Sequence, residues 1–125
     1  MKNVTNILRD AWERHEGPIV LSTADEQGVP NAIYATCVKM LDDGSIVVAD
    51  NYFHKTRSNI KRGSKVAVLF ITKEKKSYQA KGSVEYFTDG PIYEDMRQWV
   101  DQKHPRIAAA VLHVDALYSG AERLI

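Results

Sequence analysis

A short polar turn, Asp42-Asp43-Gly44, lies between two mostly apolar stretches and is the strongest constraint on how this chain folds. Pro30 to Leu41 precedes the turn and Ser45 to Ala49 follows it, and both stretches have the β-branched residues typical of strands. Asp-Gly favours a tight hairpin because glycine readily adopts the positive φ that such turns need. The two stretches are therefore predicted to pair as antiparallel strands.

Four more strands are predicted along the chain. One of them, Val66 to Thr72, is almost continuously apolar, which is typical of a strand buried on both faces. Another, Tyr78 to Tyr86, alternates apolar and polar residues with the period of a half-buried strand. The other two are Ile19 to Ala24 and Ile107 to Tyr118.

Three helical patterns separate these strands. The first has an apolar stripe from Val4 to Trp12, is capped by Asn3 or Thr5, and ends at Gly17-Pro18. A short helix is predicted between Asn51 and Gly63. A third begins at Thr88-Asp89-Gly90-Pro91, where proline suits the first helical position, and ends at His104-Pro105.

Six strands joined by short turns, with few helices, predict a mainly β fold built as a closed or partly closed antiparallel barrel. A doubly wound fold would need strands and helices to alternate regularly, and here they do not. The length of 125 residues fits one domain, 1–125, with one hydrophobic core.

The composition excludes several classes of protein. The net charge of +1 argues against a dedicated nucleic-acid or membrane-surface protein, which carries a large basic excess. Cys37 is the only cysteine, so the chain cannot form an internal disulfide. The sequence shows neither a secretory leader nor an apolar run of about 18 residues. We therefore expect a soluble cytoplasmic protein.

The segment Asp50 to Asn59 is the leading candidate for a binding site. It follows an apolar strand and places Lys55 and Thr56 at the start of a helix, where a positive charge and a hydroxyl would suit a phosphate. The alternative from the residues alone is a helix capped by Thr56 beside a solvated lysine. The donors Asn51, His54, Arg57 and Asn59 are close by in the sequence and favour the phosphate site.

Other site chemistries lack a motif. The four histidines have no metal-binding spacing, and no serine has the Gly-x-Ser-x-Gly context of a hydrolase nucleophile. The nucleotide-binding patterns GxxxxGK and GxGxxG do not occur. Cys37 is expected to be a small buried apolar residue. No catalytic residue and no metal ligand is predicted.

The order of these elements resembles that of a known family. The resemblance depends on Gly28 to Ala32, Asp43-Gly44, Asn51 to Asn59, Lys65 to Phe70 and Thr88 to Pro91. Together they look like the FMN-binding split barrels related to pyridoxamine 5'-phosphate oxidase, and especially like the small FMN-binding proteins of sulfate-reducing bacteria. The resemblance extends from about residue 15 to residue 118.

This resemblance implies a six-stranded antiparallel split barrel that forms a homodimer with two FMN molecules at the interface. It implies that Lys55 and Thr56 bind the FMN phosphate, and His54, Arg57 and Asn59 are weaker supporting candidates from the residues themselves. The isoalloxazine ring would lie along Ile33–Cys37 and receive hydrogen bonds near Asp50–Asn51. The ring contacts implied in this way are Tyr34, Ala35, Thr36, Asp50 and Asn51, with Trp99 in the Trp99–Arg106 region of the second copy.

The function implied is a small flavoprotein that passes electrons or hydride between an unknown donor and acceptor. Residues 121–125, Ala-Glu-Arg-Leu-Ile, lack the Arg-x-x-Arg-Leu signature of the enzymes that oxidise pyridoxamine phosphate, so that substrate is not expected. One alternative replaces FMN with a deazaflavin or with haem, for which His104 or His113 would be the ligand.

An alternative of another class is a barrel that binds single-stranded nucleic acid. It would use basic residues beside two aromatic rings. The residues are Lys55, Arg57, Lys61, Arg62 and Lys65, with Tyr52 and Phe53.

Overall fold

The computed structural model describes residues 4–125, with side chains from residue 6 onward. Asn3, one of the two predicted caps of the first helix, lies outside the described residues, as does the side chain of Thr5. The described residues form three helices and eight strands. In chain order these are α1 (Val4–Glu13), β1 (Ile19–Ala24), β2 (Pro30–Ala35), β3 (Val38–Met40), β4 (Ile46–Asp50), α2 (Lys55–Lys61), β5 (Val66–Ile71), β6 (Ser77–Phe87), α3 (Pro91–Trp99), β7 (Ala108–Ser119) and β8 (Glu122–Arg123).

All the strands belong to one antiparallel sheet in the order β2-β1-β5-β6-β7-β4-β3, with β8 paired to β7. The two edge strands, β2 and β3, are consecutive in the chain and only Thr36 and Cys37 separate them. Three Cα steps span at most roughly 11 Å, so the sheet has to curl until its edges approach each other. The predicted mainly β, antiparallel split barrel with short flanking helices is therefore confirmed.

Two strand predictions differ from the structure. The predicted strand Pro30 to Leu41 divides into β2 and β3, because the chain bends at Thr36 and Cys37 to leave β1 and join β4. This division and the short β8 account for eight strands where six were expected. The predicted strand Val66 to Thr72 corresponds to β5, which is not buried on both faces. Leu69 and Ile71 are 43% and 40% exposed because no element among the described residues covers their side of the sheet.

The predicted hairpin at Asp43-Gly44 is confirmed. Gly44 has a φ of 89°, and the backbone N–H of Leu41 donates to the carbonyl of Ser45 at 2.8 Å. The Asp43 carboxylate accepts hydrogen bonds from the hydroxyl and the backbone N–H of Ser45, and these bonds lower the pKa of Asp43. The turn directs β4 back along β3 and delivers Asp50 to the start of the candidate site.

The main core fills the inside of the curled sheet, where α1 packs its Leu8 and Trp12 against Leu21 and Phe70. A second cluster lies on the other face of β4 and β7, which α3 covers through Met96. Strand β4 is consequently buried on both faces along its whole length. It therefore provides a rigid support for the loop that follows Asp50.

Strands β6 and β7 approach closely at an irregularity in their pairing between Lys81 and Gly82. A Cβ atom placed on Gly82 would lie 1.8 Å from the backbone oxygen of His113, far inside van der Waals contact. Only glycine leaves room for the partner strand at this point. The close approach maintains the register of the two longest strands.

Candidate functional site

The predicted segment Asp50 to Asn59 lies beside two clefts. The first, which we term the apolar cleft, has a volume of about 300 Å³. Its lining comes from residues 33–37 at the bend between β2 and β3, from Ala49, from residues 51–53 and from His104. Most of these side chains are aliphatic or aromatic, and Thr36, Asn51 and His104 contribute polar groups. This composition is typical of a site for a flat organic ligand.

The second, which we term the basic cleft, has a volume of about 270 Å³ and lies at the start of β2. Lys55 and Arg62 provide its positive charges, and the cleft is lined further by residues 29–31, Asp25, His54, Ser58 and Asn59. The one carboxylate, Asp25, already accepts the backbone N–H groups of residues 27 and 29 at 2.9 Å each. The cleft therefore suits an anion of the size of a phosphate.

Strand β2 connects the two clefts. Asn31 lines the basic cleft, and Ile33 and Ala35, which share its face of β2, line the apolar cleft. Two to four residues of extended strand separate them from Asn31 by about 7–13 Å. This distance is comparable with the reach of an extended five-carbon chain that ends in a phosphate. A single ligand with a ring at one end and a phosphate at the other could therefore occupy both clefts along β2.

Asp50, one of the predicted ring contacts, is fully buried and belongs to a cluster of hydrogen bonds. Its carboxylate accepts Nε and Nη2 of Arg57 at 2.7 and 3.0 Å, the hydroxyl of Tyr86, and the backbone N–H of Phe53 at 3.0 Å. Its carbonyl accepts the N–H of Ile107 at 2.8 Å. The structure thus commits both the carboxylate and the carbonyl of Asp50 to the protein.

We term Asp50, Arg57 and Tyr86 the Asp50 cluster. The hydrogen bonds from the Arg57 guanidinium to the Asp50 carboxylate raise the pKa of Arg57, which keeps the guanidinium charged. Burial, together with the bond to Asp50, raises the pKa of Tyr86 to about 12. The cluster is consequently a partly buried ion pair, with a fully buried carboxylate and an Arg57 side chain that is 28% exposed. The hydrogen bonds to both carboxylate oxygens are what allow the Asp50 charge to be buried.

Thr56 and Asn59, both predicted at the phosphate, are buried by the fold. The Thr56 hydroxyl accepts the side-chain amide of Asn31 at 3.0 Å and is 1% exposed. Asn59 donates to Thr23 at 2.9 Å and accepts from Arg62 at 2.6 Å, although part of it still lines the basic cleft. These two residues therefore attach α2 to β2 and β1 and orient the groups that line the cleft.

The alternative in which Thr56 simply caps α2 is wrong. His54 occupies the N-cap position and makes no side-chain capping bond, while Thr56 lies inside the helix. His54 and Lys55 are both exposed and both line the basic cleft. Lys55, one member of the predicted Lys55–Thr56 pair, is thus placed with His54 where both could meet a ligand, whereas Thr56 is buried.

The remaining predicted residues occupy two places. Tyr34, Ala35, Thr36 and Asn51 all line the apolar cleft, so the structure brings them together as expected. Trp99 does not belong to either cleft: it is half-buried at the end of α3 and packs against the second core cluster.

The histidines and the basic residues bear on the alternative ligands. His104 lines the apolar cleft with its Nδ1 3.3 Å from the hydroxyl of Tyr52, whereas His113 faces outward and pairs with Glu85 at 2.6 Å. The set expected to bind nucleic acid is not assembled. Phe53 is buried, and the guanidinium of Arg57 is bound to Asp50.

Sequence reasoning assigned several lining residues to no flavin contact, although it named Arg62 for the nucleic-acid alternative and His104 for the haem alternative. Asn31, Ser58 and Arg62 line the basic cleft, and His104 lines the apolar cleft. Asn31 could have been found from the strand period, because it shares a face of β2 with Ile33 and Ala35. No local signal brings His104 to the site, since it arrives through the long-range pairing of β4 with β7.

Across residues 4–125, no group of three or more potential ligands from His, Cys, Asp and Glu comes together to hold a metal ion. Over the same part of the chain, no helix combines the length and the apolar character that crossing a bilayer requires.

Comparison with known proteins identifies relatives along almost the whole chain. The family model for pyridoxamine 5'-phosphate oxidase matches residues 8–119. An uncharacterized protein of Methanocaldococcus jannaschii is 36% identical in an alignment 123 residues long, and the match covers 94% of this chain and 83% of that protein.

Solved structures share the fold. HupZ of Group A Streptococcus is similar with a TM-score of 0.78 and 24% identity, and the match covers 94% of each chain. An FMN-binding protein from Syntrophomonas wolfei is similar with a TM-score of 0.71 and 16% identity, covering 94% of this chain and 84% of that one. At these identities the solved structures establish the architecture alone.

Proposed function

The chain belongs to the pyridoxamine 5'-phosphate oxidase family, and from that premise we propose that it is a small homodimeric flavoprotein that binds FMN through one domain, residues 1–125. The FMN-binding protein of Syntrophomonas wolfei, which shares its fold, supports this ligand. The observation that carries the proposal is the pair of clefts joined by β2. One cleft is apolar and the other is cationic, as a flavin ring and a phosphate require.

The residues present fit FMN. Lys55 and His54 would bind the phosphate, with the guanidinium of Arg62 on the same side of the basic cleft. Asn31 would donate from β2, and the buried hydroxyl of Thr56 accepts the Asn31 amide and so orients it. Charge-assisted hydrogen bonds of this kind are roughly twice as strong as neutral ones. The phosphate would therefore provide much of the selectivity for FMN.

The ring would lie in the apolar cleft against Tyr34, Ala35 and Thr36, with Asn51 at its edge. Asn51 is held in place because its side-chain oxygen accepts the N–H of Arg106 at 3.1 Å. Asp50 would contribute through its cluster, since its own oxygens are committed elsewhere. The apolar lining excludes water from one face of the ring.

Bound FMN supplies the redox chemistry, which is the transfer of a hydride or of single electrons. The chain's own residues bind the cofactor, orient its ring and shield it. No side chain is assigned as a general acid or base. We therefore propose an oxidoreductase or electron carrier of the cytoplasm whose donor and acceptor are a small substrate or a redox protein, and pyridoxamine phosphate is not proposed as the substrate.

The homodimer is supported by an apolar row on the outer face of the sheet. Tyr34, Val20 and Leu69 are directly paired across β2, β1 and β5, so their side chains share one face. Tyr34 is 79% exposed and Leu69 is 43% exposed. Because Tyr34 also borders the apolar cleft, a second copy on this face would cover both the row and the open side of the cleft. Trp99 would then reach the ring from that second copy.

The proposal is tested by titrating the purified protein with FMN and with riboflavin and following flavin fluorescence. Lys55→Ala is expected to weaken FMN binding by about 10- to 100-fold, on the scale of about 1.5–3 kcal/mol for a charge-assisted hydrogen bond, and to leave riboflavin binding unchanged. Lys65→Ala is the matched control, because Lys65 is also an exposed lysine but lines neither cleft.

Three results would contradict the proposal. An unchanged FMN affinity in Lys55→Ala would refute the phosphate assignment. A Soret band on adding haem, without binding of FMN, would favour the haem alternative with His104 as ligand. Binding of a single-stranded oligonucleotide that Lys55→Ala and Lys65→Ala weaken equally would favour the nucleic-acid alternative.

A further inference from the structure

The Asp50 carboxylate contacts the chain on both sides of His54-Lys55-Thr56. The backbone N–H of Phe53, immediately before this tripeptide, donates to Oδ1 at 3.0 Å. Arg57, immediately after it, donates from Nη2 to the same oxygen at 3.0 Å and from Nε to Oδ2 at 2.7 Å. One buried side chain therefore defines where the three-residue segment begins and where it ends.

Tyr86 anchors the carboxylate from a different strand. Its hydroxyl donates to Oδ2 of Asp50, and its ring lies 5.4 Å from Nζ of Lys61 at the far end of α2. Strand β6, which carries Tyr86, pairs with β7 and β5 and is a central strand of the sheet. Tyr86 thus fixes the position of α2 relative to the rigid part of the barrel, so that the helix does not depend only on the loop that precedes it.

Asp50 also anchors the wall of the apolar cleft. The carbonyl of Asp50 accepts the N–H of Ile107 at 2.8 Å, and the next residue, Asn51, accepts the N–H of Arg106 at 3.1 Å. Asp50 consequently connects the part of the chain that lines the apolar cleft with the part that carries Lys55 into the basic cleft. A small movement of this residue would change the spacing between the two clefts.

We infer that the Asp50 cluster is the positioning device that makes the site selective for a phosphorylated flavin over the same flavin without its phosphate. Asp50, Arg57 and Tyr86 do not touch the ligand. They hold Lys55 and His54 at the distance from the apolar cleft that a phosphate on the flavin side chain requires. This inference rests on the proposed function and assigns a task to residues whose hydrogen bonds lie wholly within the protein.

The contribution of the Asp50 cluster to phosphate binding comes from the geometry that it imposes on Lys55. The lysine side chain is long and flexible, so its charge alone would bind an anion in many positions. A fixed backbone at both ends of His54-Lys55-Thr56 reduces the conformations that have to be lost on binding, which is the usual benefit of preorganisation. Loosening the cluster should therefore reduce the advantage of FMN over riboflavin and leave the ring contacts in place.

The test measures the selectivity ratio, which is the Kd for riboflavin divided by the Kd for FMN, in the wild type, Tyr86→Phe, Arg57→Lys and Lys55→Ala. Tyr86→Phe removes only the phenol hydroxyl, and Arg57→Lys keeps the charge but loses the two-point contact. Each is expected to lower the ratio by about three- to tenfold through its effect on FMN, with the Kd for riboflavin unchanged. A general loss of protein stability would instead raise the Kd for FMN and the Kd for riboflavin by the same factor.

A double variant sharpens the test. In the Lys55→Ala background, Tyr86→Phe should cause no further fall in the ratio, because the group that the cluster positions is gone. If Arg57→Lys does not fold, Tyr86→Phe alone carries the test. The inference is overturned if Tyr86→Phe keeps the wild-type ratio or weakens both flavins alike while Lys55→Ala abolishes the selectivity. A wild-type ratio near 1 would instead refute the phosphate assignment in the proposed function, and the inference with it.

Discussion

Removal of the Tyr86 hydroxyl should cost less stability at high pH than at pH 8. The phenol donates to the buried Asp50 carboxylate, and burial together with this bond raises its pKa to about 12 from the ordinary value of about 10. Because the Tyr86 phenol has a higher pKa in the folded protein than in the unfolded chain, its protonated form stabilises the fold. This stabilisation is fully present below pH 10 and is lost as the pH rises through 12, since the unfolded chain releases the proton first.

The magnitude follows from the size of the shift. Two pKa units correspond to about 2.7 kcal/mol. Solvent screening at a partly buried phenol reduces this figure to about 1.5 kcal/mol. The stability advantage of the wild type over Tyr86→Phe should therefore shrink by up to about 1.5 kcal/mol between pH 8 and pH 12. About half of that decrease should be complete at pH 11.

The assay is urea denaturation of the wild type and Tyr86→Phe at pH 8, 10 and 11. Taking the difference between the two proteins cancels the lysine titrations that both share. Tyr118→Phe is the control, because it removes a phenol from the same sheet whose ring contacts are Lys81 and Arg123 rather than Asp50. A difference between the wild type and Tyr86→Phe that stays constant or grows from pH 8 to pH 11 would refute the assignment of the Tyr86–Asp50 bond.

Two further substitutions test the fold and the assembly. Gly82→Ala should unfold the protein or lower its melting temperature severely, because the new Cβ would meet the backbone oxygen of His113 at 1.8 Å and neither strand can retreat; a melting temperature within a few degrees of wild type would refute the close approach. Tyr34→Glu should convert the proposed homodimer to a monomer in sedimentation experiments, because it places a charge in the exposed apolar row; an unchanged dimer would place the interface on another face.

The architecture was largely predictable because the signals that specify it are local. Asp43-Gly44 specifies a hairpin by itself, and the alternation from Tyr78 to Tyr86 specifies which face of β6 is buried. The bend at Thr36 and Cys37 was missed, since an apolar run contains no sign that it leaves one neighbour and joins another. The exposure of Leu69 was missed for a related reason: burial depends on what covers a strand.

The candidate site was predictable only where one segment carries its chemistry. Lys55 and His54 line the basic cleft as the sequence indicated, because they are adjacent in one exposed turn. The task of Asp50 was not predictable, since its partner Tyr86 lies 36 residues away and meets it only through the pairing of β6 with β7 and of β7 with β4. Contacts of this kind require the tertiary structure.

The most direct test of the account is a titration of the purified protein, stripped of bound small molecules, with FMN. We expect saturable binding at one FMN per chain, with changes in the flavin absorption bands that indicate a ring placed in an apolar cleft, and a lower Kd for FMN than for riboflavin. Failure of FMN to bind, or equal affinity for FMN and riboflavin, would contradict the claim that the two clefts along β2 form one site for a phosphorylated flavin.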